Sequence, residues 1–205
     1  MTRDELIAHL EQNTKVLHDS LIRGAFVAVD RSDFVSPKNR DEAYEDYPVS
    51  IGHGQTISQP TTVAFMLELL RPKPGQRILD VGSGSGWTTA LLAHIVGSGG
   101  KVYGFERIPE LVRMGQQNIA PYSFIQATIM PTREELGYAK EAPFDRILVS
   151  ASAKEIPNAL IEQLALGGIM VIPVVDAIYR IQKHKDGSIE KTRYEGFAFV
   201  PLITK

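Results

Sequence analysis

The sequence predicts an α/β fold: a doubly wound, mostly parallel sheet covered on both sides, with an N-terminal helical layer before it. From Gln76 onward, short runs that are apolar on both faces alternate with helical runs, which is typical of parallel sheets. A glycine-rich turn follows the first of these runs, and a Lys-Asp-Gly-Ser stretch joins two alternating segments near the C-terminus. We expect a single domain, residues 1–205, with a helical and loop layer over 1–75 and the α/β core over 76–205.

Two segments of the N-terminal layer carry helical periodicity. One or two amphipathic helices are predicted between residues 4 and 30, where apolar residues recur near helical spacing at Leu6, Leu10, Leu17 and Leu21. Residues 29–48 are rich in turn formers and aromatic residues, which predicts ordered coil. A further helix is predicted after Pro60 and ends at residues 71–75, with one apolar face formed by Val63, Met66, Leu67 and Leu70.

The core is predicted to contain alternating strands and helices. The strand-like runs cover residues 77–81, 101–106, 123–127, 145–150 and 167–175. The helical runs between them cover residues 87–96, 109–119 and 158–166. The tail from Tyr179 reads as an antiparallel hairpin, with its tight turn at residues 185–188.

Composition excludes several classes of function. A net charge of −2 is not that of a basic, nucleic-acid-binding protein. The longest apolar runs are too short to span a bilayer. The chain has no cysteine, which excludes disulfides, thiolate metal sites and a cysteine nucleophile; no other metal-ligand spacing is present. The charged N-terminus lacks the apolar core of a signal peptide. We expect a monomeric cytoplasmic protein with no metal, no nucleic-acid partner and no membrane contact.

A glycine-rich loop follows the first core strand. Gly82, Gly84 and Gly86 form a G-x-G-x-G pattern between that strand and a helix, with Asp80 at the strand end. Glu106 ends the next strand, twenty residues after Gly86. This spacing puts a carboxylate beside the loop at the carboxyl edge of the sheet, where it can accept hydrogen bonds from both ribose hydroxyls. The alternative is a tight strand–helix turn, which needs glycine in any case, and a surface glutamate.

The loop lacks the features of a phosphate site. It has no Gly-Lys-Ser/Thr, and acidic Asp80 would repel a phosphate. A nucleoside without phosphates that carries positive charge fits better, and S-adenosylmethionine is such a ligand. Glu106 would hold its ribose, and Asp80 would lie near its ammonium and sulfonium. The predicted cofactor-binding residues are Thr56, Ile57, Ser58, Asp80, Gly82, Ser83, Gly84, Ser85, Gly86, Glu106 and Arg107.

The chain resembles the protein-L-isoaspartate O-methyltransferase family from about Phe34 to Leu202. The resemblance is carried by residues 43–60 (AYEDYPVSIGHGQTISQP), 80–87 (DVGSGSGW), 106–111 (ERIPEL), 142–157 (APFDRILVSASAKEIP), 163–174 (QLALGGIMVIPV) and 199–202 (FVPL). The first stretch is the most specific. The resemblance implies a class I S-adenosylmethionine-dependent methyltransferase fold, with S-adenosylhomocysteine as product. It also implies isoaspartyl peptides and proteins as substrates, methylated on the side-chain carboxylate as the first step of repair.

In the family that the chain resembles, the hydroxyl at the position of Ser58 lies near the transferable methyl group and is taken as catalytic. A carboxylic acid with a pKa of about 4 is already ionised at neutral pH, so the reaction needs alignment rather than a strong base. Ser58 would orient one carboxylate oxygen, a task that Thr56 could share, and His53 would be a loop-packing residue. Alternatively, Ser58 caps the helix that begins near Pro60. Both roles are compatible.

The chain departs from the family pattern at four places. Residues 126–137 replace a Gly-Asp-Gly, where Glu134 or Glu135 could substitute for the Asp or be charges on a helix surface. Residues 60–62 are Pro-Thr-Thr, Val175-Asp176 stand at a usual glycine, and Ala198 stands at a usual arginine. Two alternatives therefore stay open: a carboxyl O-methyltransferase for a different aspartate, and a cofactor-binding homologue without turnover.

Overall fold

The computed structural model describes residues 1–124 and 126–203. It contains a sheet of seven strands: β3 Arg77–Val81, β4 Lys101–Glu106, β5 Ala127–Pro131, β6 Phe144–Val149, β7 Leu164–Val174, β8 Ala177–Lys183 and β9 Ile189–Glu195. Their order across the sheet is β5-β4-β3-β6-β7-β8-β9. Strands β3 to β7 pair in parallel, and β8 and β9 are antiparallel. This confirms the predicted α/β architecture and its antiparallel C-terminal hairpin.

The N-terminal layer is helical, as predicted. Helix α1 (Arg3–Ala8) begins with a capping box between Thr2 and Glu5 and continues as a π-helical turn over His9–Asn13. Helix α2 spans Ser20–Ala28 and helix α3 spans Pro60–Leu70. The segment predicted as ordered coil contains two 3-10 turns, at Arg31–Phe34 and Pro37–Glu42. A separate two-stranded hairpin, β1 (Val49–Gly52) with β2 (Gln55–Ile57), precedes α3.

Helices α4 (Trp87–Val96) and α5 (Pro109–Ile119) have the predicted bounds. Two other predicted boundaries are wrong. The strand expected over residues 123–127 begins at Ala127, because α5 runs into a 3-10 turn and then a left-handed Ser123; Ile125 lies outside the described residues. Helix α6 covers only Asn158–Glu162, because the chain from Leu164 onward pairs with β6 instead of continuing the helix.

Two apolar clusters lie on opposite faces of the sheet, since successive strand residues point to opposite sides. Ile78 joins the cluster beneath α1 to α5, and its neighbour Leu79 joins the cluster around α6. Thus both faces of β3 are buried, as its continuous apolar sequence predicts. Across residues 1–124 and 126–203, no helix has the combination of length and apolar character that a bilayer span requires.

Candidate functional site

The glycine loop leaves the carboxyl end of β3 and turns into α4. The backbone N–H groups of Gly82 and Ser83 both donate to the Phe105 carbonyl, at 2.8 and 3.0 Å, which ties the loop to the end of β4. Gly86 is the N-cap of α4 and has a φ of 93°. A Cβ there would lie 2.9 Å from Ile129 Cδ1, so only glycine permits both this backbone conformation and the close approach of β5.

Asp80 lies within the sheet at the base of the loop. Its side chain is fully buried, and its Oδ2 accepts hydrogen bonds from the hydroxyls of Thr88 (2.8 Å) and Thr89 (2.6 Å). Burial raises the pKa of Asp80 to about 6; its two threonine hydrogen bonds lower the pKa and the nearby Glu106 raises it further. A buried carboxylate held in this way favours an incoming positive charge, because that charge offsets the cost of ionisation.

Glu106 joins the glycine loop to the start of α5. It is 7% exposed; its Oε2 accepts from Gly84 N at 3.0 Å and its Oε1 from Ile108 N at 2.8 Å. An ionised carboxylate oxygen can accept more than one hydrogen bond, so each of these oxygens retains acceptor capacity. The arrangement therefore suits Glu106 to a pair of ligand hydroxyls at the carboxyl edge of the sheet.

A cleft lies between the glycine loop and the segment that follows the β1–β2 hairpin. The hairpin packs over the loop: Ile51 Cδ1 would lie 3.3 Å from a Cβ built on Gly84. The residues that line the cleft are Thr56, Ile57, Ser58, Val63, Gly82, Ser83, Gly84, Ser85, Trp87, Thr88 and Ser150. Residues 56–58 and 82–85, from the two most informative stretches of the sequence, therefore form the two walls of one site.

Seven of the predicted cofactor-binding residues line this cleft: Thr56, Ile57, Ser58, Gly82, Ser83, Gly84 and Ser85. Asp80 and Glu106 are hydrogen-bonded to lining residues, and Gly86 is the chain neighbour of two of them. Arg107 is exposed, and its side chain makes no hydrogen bond to any part of the chain that the structure describes. Its predicted cofactor contact stays a prediction.

Four lining residues were not predicted: Val63, Trp87, Thr88 and Ser150. A topological signal could have identified the last three. Trp87 and Thr88 begin the helix directly after the glycine loop, and Ser150 follows β6 at the same carboxyl edge. Ligands of open α/β sheets bind at that edge. Val63 carries no comparable signal, because its position is also that of an ordinary core residue of α3.

The alternative role of Ser58 as a helix cap is wrong. The N-cap of α3 is Gln59, because Pro60 is the first helical residue and Ser58 lies one position too early. Asp46 accepts the hydrogen bonds at the start of α3 instead. Its Oδ1 accepts from Thr61 N at 2.9 Å, and its Oδ2 accepts from Thr61 Oγ1 at 2.7 Å. Ser58 is half-buried and lines the cleft, so capping no longer accounts for it.

Two other expectations about side chains are also wrong. His53 is exposed at the tip of the β1–β2 hairpin, with a φ of 54°, so it is not a packing residue. Glu134 and Glu135 are exposed in an irregular loop and are not on a helix surface. Among residues 1–124 and 126–203, no group of three or more His, Cys, Asp or Glu side chains is arranged to hold a metal ion.

Unpartnered polar atoms indicate what the cleft can bind. Asp80 Oδ1, Ser83 Oγ and Trp87 Nε1 are buried and have no hydrogen-bond partner among the described residues. Buried polar atoms are rarely left unpaired in native proteins. Three of the five such atoms among the described residues belong to Asp80, Ser83 and Trp87 at or beside the cleft, and this concentration points to a ligand. The set combines an acceptor with negative charge, a hydroxyl and a donor. Together with Glu106, these residues fit a ribose-containing ligand with positive charge.

A mostly parallel sheet of this strand order, a glycine loop at its carboxyl edge and an acidic residue ending β4 are the features of a class I S-adenosylmethionine-dependent methyltransferase, and the solved structures similar to this chain have that fold. Within that class, the chain belongs to the protein-L-isoaspartate(D-aspartate) O-methyltransferase family, whose sequence model matches residues 1–205. The cofactor is therefore S-adenosylmethionine, and the residues that line the cleft described above fit it.

Relatives and solved structures agree with this assignment. The chain is 42% identical to a protein-L-isoaspartate O-methyltransferase of Methanopyrus kandleri over 206 residues, covering 98% of this chain and 91% of that protein. It is 45% identical over 184 residues to the protein of the same name from Methanothrix thermoacetophila, covering 88% and 87%. A crystal structure of PCMT from Plasmodium falciparum in complex with S-adenosyl-L-homocysteine superposes with a TM-score of 0.86 at 30% identity, covering both chains completely.

Proposed function

We propose that the protein transfers a methyl group from S-adenosylmethionine to the side-chain carboxylate of L-isoaspartyl residues in damaged proteins and peptides. The observation that carries the proposal is the cleft, in which Thr56, Ile57 and Ser58 face the glycine loop. The relatives named above are methyltransferases for this substrate, and the segment that forms one wall is the stretch most specific to their family.

Each wall of the cleft has its own task in this proposal. When bound, the cofactor supplies an activated methyl group on a sulfonium. The glycine-loop backbone and Glu106 hold its nucleoside part, and the negative charge of Asp80 favours its positive groups. On the opposite wall, the Ser58 hydroxyl donates a hydrogen bond to one oxygen of the substrate carboxylate and so fixes its direction.

The reaction needs no general base on the protein. The substrate carboxylate has a pKa of about 4 in model compounds and is ionised at neutral pH. What the site contributes is alignment and partial removal of water from the carboxylate. Ile57, Val63 and Trp87 give the cleft apolar lining next to Ser58, which serves that removal. Thr56, also on this wall, can share the orientation of the carboxylate.

A second candidate function, methylation of a different peptide aspartate, is favoured by one feature of the C-terminal tail. The tail runs along the carboxyl edge of the sheet, where Ser152 N donates to Val200 O at 2.8 Å and Leu202 N donates to Ser152 O at 2.7 Å. Ala198, just before this stretch, is exposed and stands where the family has an arginine. A shorter side chain at this position is compatible with a related enzyme that methylates a different peptide aspartate.

The experiment that tests the proposal is methyl transfer from labelled S-adenosylmethionine to matched isoaspartyl and aspartyl peptides. Preferential labelling of the isoaspartyl peptide supports the proposal. Equal labelling of both, or labelling of one protein partner only, would favour the second candidate. Cofactor binding without any transfer would identify a homologue that has lost turnover.

The remaining expectations concern assembly and location. We propose a single-domain monomer that functions in the cytoplasm without nucleic acid or membrane; the absence of cysteine and the net charge of −2 support this. Light scattering coupled to size-exclusion chromatography tests the monomer, since a dimer would give twice the 22.7 kDa mass of the chain.

A further inference from the structure

Arg31 is a buried cation in the N-terminal layer. It begins the 3-10 turn Arg31–Phe34 and is only 2% exposed. Arginine is rarely buried to this degree, because removing the charge from water is costly. Its Nε has no hydrogen-bond partner among the described residues, so its compensating contacts come from the two Nη groups. Burial lowers the pKa of Arg31 to about 10, with nearby Asp46 opposing the shift, so the guanidinium is still charged at neutral pH.

The guanidinium of Arg31 donates to backbone carbonyls on the stretch that leads to the cleft. Its Nη1 donates to the Ala43 carbonyl at 2.5 Å, and its Nη2 donates to the carbonyls of Tyr47 (3.3 Å) and Ser58 (3.1 Å). The two ends of this stretch, Ala43 and Ser58, are therefore held by one planar side chain. A guanidinium presents its donors in a fixed fork, so these contacts also fix the direction of the Ser58 carbonyl.

The same guanidinium also contacts the opposite wall of the cleft. Its carbon Cζ lies 5.2 Å from the ring centroid of Trp87, within the range of a cation–π interaction. Trp87 is the first residue of α4, directly after Gly86 of the glycine loop, and it lines the cleft. Arg31 therefore bridges the wall that carries Ser58 and the wall that carries the cofactor loop.

We infer that Arg31 is a positioning residue for methyl transfer, which sets the place of Ser58 relative to the glycine loop. The inference rests on the proposed function, since it assigns to Arg31 an effect on the step that Ser58 assists. Arg31 itself acts through the Ser58 carbonyl and the Trp87 ring. A displacement of about 1 Å in an aligned site can lower a rate on the order of 100-fold, so the bridge matters for turnover.

The test is a double-mutant cycle between R31K and S58A. Lysine keeps the charge and loses the fork, so R31K should lower kcat roughly 10- to 100-fold while cofactor affinity changes little. In the S58A background, R31K should lower kcat further by less than about threefold, because two residues that act as one unit are not additive.

R146K is the matched control. Arg146 is also a buried arginine (8% exposed), and it donates to the backbone carbonyls of Arg71 (3.1 Å) and Asp145 (2.7 Å) near the start of β6, at the opposite end of that strand from Ser150. R146K should leave kcat within about twofold in both backgrounds, since it removes a comparable fork away from the cleft. An equal loss of kcat from R31K with and without S58A, or no loss at all, overturns the inference.

A second measurement needs no substrate. Amide hydrogen exchange over residues 43–62 should quicken in R31K and not in R146K, whereas exchange in β3 and β4 should be the same in all three proteins. Unchanged exchange over residues 43–62 overturns the inference even if the parent protein methylates no isoaspartyl peptide. A parent without turnover overturns only the proposed function. R31Q serves as a second variant, and failure of both R31K and R31Q to fold would assign Arg31 to stability alone.

Discussion

Replacing Glu106 by alanine should weaken cofactor binding by two to four orders of magnitude. Both carboxylate oxygens are buried at the edge of the glycine loop, and each retains acceptor capacity for a ribose hydroxyl beside its bond to Gly84 N or Ile108 N. A hydrogen bond to a charged group contributes about 1.5–3 kcal/mol. Two such bonds give about 3–6 kcal/mol, and each 1.4 kcal/mol is a factor of about ten in affinity.

The substitution has a second effect that must be separated from the first. E106A also removes the acceptor for Gly84 N and Ile108 N, which loosens the loop even without a ligand. Calorimetry with S-adenosylhomocysteine and with its 2′-deoxy analogue separates the two effects. The parent protein should bind the analogue roughly 10- to 150-fold more weakly than the full ligand. E106A should bind both ligands with nearly equal affinity, because the ribose contact is already lost.

The matched control for E106A is E110A. Glu110 is an exposed carboxylate in the first turn of α5, close in sequence, and it pairs with Arg113 at 3.2 Å on the surface. E110A should bind S-adenosylhomocysteine as the parent does. An affinity of E106A within about threefold of the parent would refute the reasoning, because one charged hydrogen bond alone contributes more than that. The reasoning would also be refuted if the 2′-deoxy analogue bound more weakly than S-adenosylhomocysteine by the same factor in E106A as in the parent.

Three further predictions concern Ser58, Asp46 and Asp80. S58A should lower kcat and kcat/KM together in the methyl-transfer assay, with the free energy of unfolding within about 0.5 kcal/mol of the parent, because Ser58 is not the cap of α3. D46A should cost about 1 kcal/mol in denaturant unfolding, because it removes the acceptor for Thr61 N. The stability of the parent relative to D80N should fall as pH rises from about 4 to about 6, by about 3 kcal/mol.

The sign for Asp80 follows from proton binding. Burial raises its pKa from 3.8 to about 6 in the folded protein, so the folded state holds this proton more tightly than the unfolded state. The stability that this proton adds to the folded state is fully present below about pH 4 and is lost as pH rises through about 6. D80N retains an acceptor for the threonine hydroxyls and removes the titration. If the difference in the free energy of unfolding between the parent and D80N did not change with pH, the raised pKa of Asp80 would be contradicted.

Controls for the other two predictions come from the same chain. S58T keeps a hydroxyl donor and should retain activity, whereas S58D keeps the fold but places a like charge beside the substrate carboxylate and should be nearly inactive. Parental turnover in S58D would remove Ser58 from the chemistry. D41A, at an exposed aspartate of the same segment, should be neutral, and a loss of stability equal to that of D46A would contradict the capping role.

Local patterns predicted much of the fold and the glycine-loop wall of the site, whereas the wall with Ser58 was predicted from the family resemblance. Helix α4 and strand β3 could be delimited because a continuous apolar run and a glycine turn decide their bounds within a few residues. Glu106 could be identified because parallel strands end at a common edge, so sequence spacing translates directly into proximity. The start of β5 was missed because the end of α5 continues as a 3-10 turn, whose residues carry no distinct pattern.

The interactions that complete the site depend on residues far apart in sequence. Asp46 caps a helix that begins fourteen residues later, and Arg31 contacts the carbonyl of Ser58 at a separation of 27 residues. A local capping rule assigns the helix start to a nearby hydroxyl, and for that reason Ser58 was a candidate cap. Only the folded N-terminal layer brings Asp46 and Arg31 to these positions.

The most direct test of the proposed function is a competition for labelled S-adenosylmethionine between two peptides of identical sequence. One peptide contains an isoaspartyl residue and the other a normal aspartyl residue, and S58A is the matched control protein. We predict base-labile methyl ester on the isoaspartyl peptide in clear preference to the aspartyl peptide, with little ester formed by S58A. Equal esterification of the two peptides, or no ester on either, would contradict the proposed function.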